Sequence, residues 1–150
     1  MKYTISRDRN TIHVVAGGVV TLDDCVHAAS ALVAEGLLQP GVKLLIDITS
    51  LTPELSFADL RNLVRQVQLL VSGGLHGIAI VAAGDLVYGL ARTFSTYADL
   101  EELSVVAAFR GRHEAETWLE SRKAPALPPV RESRTIKSSW NRQGGERPLF

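Results

Sequence analysis

Apolar and polar positions along the chain follow two different periods, and each change of period marks a predicted element. Residues 2–6 and 11–16 alternate one by one, which is typical of strands with one buried face. The polar stretch between them, residues 7–10, ends in an asparagine, a residue that tolerates the left-handed backbone of hairpin turns. The chain is therefore predicted to open with an antiparallel hairpin, whose second strand ends at the glycine pair that begins with Gly17.

Short, nearly continuous apolar runs occur later in the chain and are typical of strands buried on both faces of a parallel sheet. These runs are residues 42–48, 76–83 and 103–109. Elsewhere apolar residues recur every three or four positions, which predicts amphipathic helices. The predicted helices start near Thr21, Ser56, Gly84 and Gly111.

The resulting order is ββαβαβαβα. Strands that alternate with helices indicate an α/β fold with a mostly parallel sheet, an N-terminal β-hairpin and four helices. This pattern covers residues 1–122, which we interpret as one domain. Residues 123–150 contain several prolines and no period, so a flexible basic tail is predicted. In the alternative interpretation the tail is an arm, with Trp140 and the terminal Leu149 and Phe150 docking on a neighbouring subunit.

The second helix is predicted to begin at a capping box. Ser56 and Asp59 have the spacing of this motif, with Asp at the place usually taken by Glu or Gln. Residues 49–55, which precede the helix, are predicted to form a loop between it and the buried strand.

Charge and cysteine content exclude several classes of function. The net charge is zero, which argues against bulk attraction to nucleic acid. Residues 121–150 carry seven basic and two acidic residues, whereas the remainder carries nine basic and fourteen acidic residues. The single cysteine excludes an internal disulfide and a Cys-rich metal site. Because no apolar run approaches membrane-spanning length, a cytoplasmic protein without an integral membrane segment is predicted.

The element order and several short motifs resemble the STAS and SpoIIAA-like family, which includes bacterial anti-sigma-factor antagonists and sulfate-transporter tails. The resemblance extends over about residues 3–120 and is strongest to small bacterial SpoIIAA-like proteins. The motifs that carry it are residues 16–23, 44–51, 80–94 and 105–118. It implies a SpoIIAA-like fold and a non-enzymatic regulatory or protein-interaction module with a protein partner.

Ser56 is the candidate regulatory residue that this resemblance implies. The regulated antagonists carry Asp-Ser-Ser-Gly, or a close variant, at the start of the second long helix, and one serine is phosphorylated. Here the matching stretch is Glu54-Leu55-Ser56-Phe57, so one serine is kept and the flanking Asp and Gly are not. Ser56 is therefore interpreted either as an N-cap or as a phosphosite for a kinase that does not read the whole motif.

Open α/β sheets place their binding sites beyond the carboxyl ends of the strands. The polar residues expected there, besides Ser56, form a candidate binding rim of Asp47, Thr49, Ser50, Gly84, Asp85, Arg110 and Arg112. This rim has the chemistry to bind an anion or a partner. The alternative is that the two carboxylates cap loops and that Arg110 neutralises them.

The third helix carries aromatic residues at helical spacing. Phe94 and Tyr97 are interpreted as core or as the wall of a pocket for a small apolar ligand or lipid. Tyr88, Arg92 and Thr96 share a more polar face, which is a candidate surface for a partner. A homodimer is the favoured assembly, because the tail carries apolar residues with no obvious place in the domain.

Catalytic signatures do not emerge from the sequence. Cys25 and His27 are two positions apart on a helix and point in different directions, and Cys25 lies on the apolar stripe. Neither metal-ligand spacing nor a phosphate-binding glycine loop occurs, so no catalytic residue, metal or cofactor is predicted. A hydrolase or transferase that uses Asp47 and Asp85 stays open as a second alternative.

Overall fold

The computed structural model describes residues 1–122, and these residues form nine elements in the predicted order. The strands are β1 (Lys2–Asp8), β2 (Thr11–Val20), β3 (Lys43–Pro53), β4 (Gly77–Val81) and β5 (Val106–Phe109). The helices are α1 (Leu22–Ala34), α2 (Phe57–Ser72), α3 (Asp85–Leu100) and α4 (Arg112–Ser121). The predicted tail and its docking arm lie outside the described residues.

The strands form one sheet in the order β1-β2-β3-β4-β5, with β1 antiparallel to β2 and every other neighbouring pair parallel. Successive crossovers step across the sheet in one direction, so crossovers of a single handedness bring α1, α2 and α3 to the same face. Helix α4 follows the last strand and packs on the opposite face. The predicted fold class, an α/β fold with a mostly parallel sheet, is confirmed.

The core is divided by the sheet into a large and a small cluster. The large cluster lies between the sheet and α1–α3 and includes the fully buried Ile12, Val42 and Ile78. The small cluster joins Leu45 of β3 to Leu119 of α4, among others. The C-terminal end of α4 is held by hydrogen bonds to its last turn, including one of 2.5 Å from the Lys43 Nζ to the Leu119 carbonyl.

Strands β2 and β3 are longer than predicted. The glycine pair that starts at Gly17 does not end β2, because a bulge between Val15 and Gly17 shifts the register and pairing with β3 then continues to Val20. The stretch predicted as a loop, residues 49–55, is therefore strand up to Pro53. This two-stranded overhang, residues 17–20 with 50–53, extends beyond the point where β4 stops.

Helices α1 and α2 begin with the same capping box. At α2, Ser56 Oγ accepts a hydrogen bond from the Asp59 backbone N–H at 3.1 Å, and the Asp59 carboxylate accepts one from the Ser56 backbone N–H at 2.9 Å. Thr21 and Asp24 make the equivalent pair at α1. The predicted cap at Ser56 is thus confirmed. None of the helices in residues 1–122 combines the length and the apolar character that a membrane-spanning segment requires.

Candidate functional site

A cavity of about 200 Å³ lies between the sheet and the three helices that cover its larger cluster. Its wall is apolar except for the thiol of Cys25 and the amide of Gln66. Strand residues form the floor, and residues from each of the three helices form the roof. The roof includes Ala28 and Ala29 of α1, Leu60 and Leu63 of α2, and Leu90, Ala91 and Phe94 of α3.

The cavity exists because the helices approach the sheet unequally. Helix α3 comes close to β3 and β5, whereas α1 and α2 approach their neighbouring helices more closely than any strand. Small side chains such as Ala28 and Ala29 face the resulting gap and do not fill it. The sequence predicts a pocket under α3 alone, whereas α1 and α2 also form part of the cavity wall. Alanines on the inner face of α1 were the available signal.

The cavity reaches the carboxyl end of β3, where Leu51 and Leu55 are part of its wall and are only half-buried. Large apolar side chains are exposed at this same end of the molecule. Phe57, the first residue of α2, is 61% exposed, and Leu86, the second residue of α3, is 70% exposed. Both lie at the helix starts, one turn before the packed stripe of each helix begins.

Cys25 is the polar group whose chemistry at the cavity wall is best defined. Burial of the thiol, together with the smaller effect of the nearby carboxylates of Asp24 and Asp59, raises the pKa of Cys25 to about 11. A thiol with this pKa is protonated at neutral pH and is a poor nucleophile. The predicted position of Cys25 on the apolar stripe of α1 agrees with these surroundings.

The candidate rim is divided into separate local contacts. Arg110 forms a salt bridge of 2.9 Å to Asp85, donates to the Ala83 carbonyl at 3.2 Å, and lies 4.2 Å from the centre of the Tyr88 ring. This arrangement matches the alternative in which Arg110 neutralises a loop carboxylate. Because Asp85 is 94% exposed, the ion pair is strongly screened by solvent.

The other rim residues do not join this group. Asp47 accepts hydrogen bonds from the backbone N–H and the hydroxyl of Thr49, at 3.0 and 2.8 Å. Arg112 lies on α4, where it contacts His13 Nδ1 and the Glu116 carboxylate, both at 3.1 Å. Ser50 is exposed on the overhang, and Gly84 is the exposed N-cap of α3. Asp47, Thr49 and Ser50 thus lie within β3 and not beyond its end, and the predicted rim residues do not form one group.

The candidate partner face on α3 is a continuous local set. The Arg92 guanidinium lies 5.8 Å from the centre of the Tyr88 ring, and Thr96 donates to the Arg92 carbonyl at 3.0 Å. Phe94 points to the opposite side and lines the cavity. Tyr97 packs against the large core cluster, and its ring lies 5.3 Å from the Arg61 guanidinium.

Neither rim carboxylate lines the apolar cavity, and each is engaged in its own local contact. A shared polar pocket of Asp47 and Asp85, which the hydrolase or transferase alternative requires, is not formed by these contacts. Within residues 1–122, no group of three or more His, Cys, Asp or Glu side chains has the arrangement needed to hold a metal ion.

Comparison with known proteins identifies the fold. The chain is similar in structure to an uncharacterized protein from the DUF3478 family with a SpoIIAA-like fold, from Shewanella loihica PV-4, at a TM-score of 0.52 and 22% sequence identity. The similarity covers 79% of this chain and 92% of that one. No protein-family model and no functionally curated protein matches the sequence. The resemblance to SpoIIAA-like proteins is thus confirmed as a shared fold, and this similarity carries no information on ligand or partner.

Proposed function

We propose that this protein binds one small apolar ligand, such as a hydrocarbon chain or a small ring system, in the cavity between the sheet and α1–α3. The single observation that carries the proposal is the cavity of about 200 Å³ beneath α3, with an almost wholly apolar wall. Of the functions suggested by the sequence, a ligand carrier requires such a space, whereas an interaction module does not.

The chemistry of the wall limits the class of ligand. Charged groups are expensive to bury without a partner, and Cys25 and Gln66 are the only polar side chains in the wall. The buried part of the ligand is therefore uncharged and mostly hydrocarbon. A longer amphiphile would leave its polar end outside, at the carboxyl end of β3, where Leu51 and Leu55 border the cavity.

The size of the cavity supports a small guest. An engineered apolar cavity of ~150 Å³ stays dry and binds benzene, and drug-sized ligands usually need at least ~300 Å³. At about 200 Å³ this cavity lies between the two. At ~24 cal/mol per Å³, a closed void of this volume lowers the free energy of unfolding by about 5 kcal/mol. Since this cavity is partly open, that value is an upper limit. A guest would recover part of that loss.

The test fills the cavity without changing the surface. Ala91→Leu adds three carbons inside the wall, and Ala58→Leu makes the same change at an exposed position of α2. The probes are benzene and straight-chain fatty acids of increasing length, followed by the NMR shifts of methyl groups in the wall. We expect saturable binding to the native protein and to Ala58→Leu, and binding at least roughly tenfold weaker to Ala91→Leu.

Cys25 offers a second readout of the same site. Since the pKa of the thiol is about 11, only about one molecule in a thousand carries a thiolate at pH 8, and alkylation by iodoacetamide is slow there. The rate rises with pH until the thiol is ionised. A bound guest covers the thiol and lowers the rate further. Failure of every probe to shift the methyl signals or to slow alkylation contradicts the proposal.

A second candidate is a STAS-like interaction module that acts at the start of α2. The observation that favours it is the exposure of Ser56 directly beside the exposed Phe57. Its test is affinity capture from the native host followed by mass spectrometry, with Ser56→Ala and Ser56→Asp as variants. Absence of a reproducible protein partner, together with no effect of either variant in the host, contradicts this candidate.

A further inference from the structure

Strand β1 leaves one long edge of the sheet without a partner strand in the described part of the chain. It is the first strand in the sheet order and pairs only with β2, through all seven residues of Lys2–Asp8. The opposite edge, β5, has four residues. A long unpaired edge presents a row of free N–H and C=O groups that can pair with another strand.

Two copies of β1 that run antiparallel to each other place residues of complementary charge and size opposite one another. An antiparallel copy centred on Ile5 places Lys2 opposite Asp8, Tyr3 opposite Arg7, and Thr4 opposite Ser6. This register pairs all seven residues, with unlike charges opposite each other at both ends. Centring the copy one residue away, on Thr4 or Ser6, leaves residues unpaired and separates Lys2 from Asp8.

The faces of the strand also agree with this register. Tyr3 and Ile5 are half-buried against the large core cluster, whereas Lys2, Thr4 and Ser6 are exposed. In the register centred on Ile5, every residue meets a residue of the same face, since opposed residues in an antiparallel pair point to the same side. The helices α1–α3 of both copies then lie on one side of a continuous sheet.

The terminal charges of β1 are available for such a contact. In residues 1–122, the side chains of Lys2 and Asp8 take part in no hydrogen bond or ion pair. Arg7 is exposed and donates to the Gln39 side chain at 3.0 Å. Exposed ion pairs add little energy each, but they select register and partner, and the backbone hydrogen bonds of the added strand supply the association.

We propose that two copies of this chain form a symmetric dimer by antiparallel pairing of β1 with β1, with the two-fold axis at Ile5. Two five-stranded sheets then become one sheet of ten strands. The contact is isologous, so the same seven residues serve on both sides and the assembly closes at two copies. Ile5 also lines the apolar cavity, so the cavities of both subunits border the axis.

Charge reversal tests the dimer in the chain of residues 1–150 by sedimentation velocity over a range of concentrations. Lys2→Glu places two acidic residues opposite each other twice per dimer, and we expect the dimer dissociation constant to rise roughly tenfold or more. The double variant K2E/D8K reverses both partners and is expected to restore the native value. Arg65→Glu, an exposed reversal on α2, is the matched control and is expected to leave dimerisation unchanged.

Disulfide trapping tests the register. In a Cys25→Ser background, I5C places the new thiol on the axis, opposite its own copy at a backbone separation that a disulfide can bridge. D8C places it at the far end of the paired strands, about 20 Å from its copy at ~3.3 Å per residue. We expect a covalent dimer from I5C and none from D8C, with circular dichroism confirming that both variants fold.

Three results overturn the proposal: a native protein that is monomeric at every concentration, equal effects of Lys2→Glu and Arg65→Glu, or I5C that does not cross-link. In each case the edge of β1 is covered by something else or left free, and residues 123–150 are the first alternative occupant to examine. Binding of apolar probes is measured separately, so this result and the fate of the ligand cavity are independent.

Discussion

Ser56 has a structural role before it has any regulatory one. Its hydroxyl and the carboxylate of Asp59 satisfy two backbone N–H groups at the start of α2 that would otherwise lack partners. Any modification of the hydroxyl therefore acts on the end of this helix. A phosphate at this position would meet the positive end of the helix dipole but would have to replace the hydroxyl as acceptor.

Substitutions at Ser56 separate the cap from a signalling role. Ser56→Ala is expected to lower the free energy of unfolding by about 1 kcal/mol, whereas Ser56→Asp is expected to be nearly neutral because Asp caps helices equally well. Urea denaturation measures both values. Ser72→Ala, which removes a hydroxyl from the other end of α2, is the control and should change stability by less than about 0.5 kcal/mol. Equal losses from Ser56→Asp and Ser56→Ala contradict this account.

At the scale of elements, the sequence predicted the number and order of strands and helices, but it placed the ends of β2 and β3 too early and the start of β5 too early as well. The glycine pair at Gly17 was interpreted as a strand end, because glycine weakens strands in general. In the fold the pair follows a bulge between Val15 and Gly17, and β2 keeps pairing with β3 beyond it. A β-carbon on Gly17 would make only ordinary contact with the Ser50 side chain, at 3.5 Å. The strand continues because of a partner more than thirty residues away in sequence, so local pattern alone does not reveal it.

Gly74, which lies between α2 and β4, has a backbone conformation and surroundings that exclude a side chain. Its φ angle is +116°, and a β-carbon there would lie 2.7 Å from the backbone of Gln39. Gly74→Ala is therefore expected to lower the free energy of unfolding by more than ~1 kcal/mol. Gly89→Ala on α3, where a β-carbon would meet nothing within 4 Å, is expected to raise it by about 0.5–1 kcal/mol. Denaturant titration of both variants checks the opposite signs.

The placement of α4 explains why the rim was predicted only in part. Crossover rules fix the face of a helix that connects two parallel strands, and α4 follows the last described strand, so they do not apply to it. Arg112 consequently lies among residues of the α4 side, against His13, while Arg110 reaches Asp85 at the start of α3. The sequence indicates that both arginines follow the last strand. It does not indicate that Arg112 lies on the α4 side while Arg110 reaches the start of α3.

For the whole molecule, the sequence predicted the fold and not the space inside it. Apolar stripes on α1, α2 and α3 indicate which residues face the sheet, and all three helices do face it. Periodicity carries no information on whether the inward side chains fill the available volume. The cavity depends on the stand-off of α1 and α2 and on small residues meeting from distant parts of the chain, which only the assembled fold reveals.

Ligand binding is expected to stabilise the molecule as a whole. A guest present at one hundred times its dissociation constant adds about 2.7 kcal/mol if it binds only the folded state, which corresponds to a rise of roughly 4 °C or more in melting temperature. Differential scanning fluorimetry with the tightest-binding fatty acid measures this rise. Ala91→Leu, with its cavity reduced, is expected to show little or no shift. Equal shifts in Ala91→Leu and the native protein place binding elsewhere.

Under the proposed function, the overhang of residues 17–20 and 50–53 is where a ligand would enter. Beyond Asp47, β3 has lost its neighbour on the β4 side, yet Leu51 and Pro53 still form part of the chamber wall. A strand segment that is hydrogen-bonded to a neighbour on one side unfolds locally at a lower free-energy cost than a segment in the interior of a sheet. Local opening of these eight residues would expose the cavity while the rest of the fold stays intact. The rate of ligand uptake would then depend on this local opening and not on unfolding of the whole molecule.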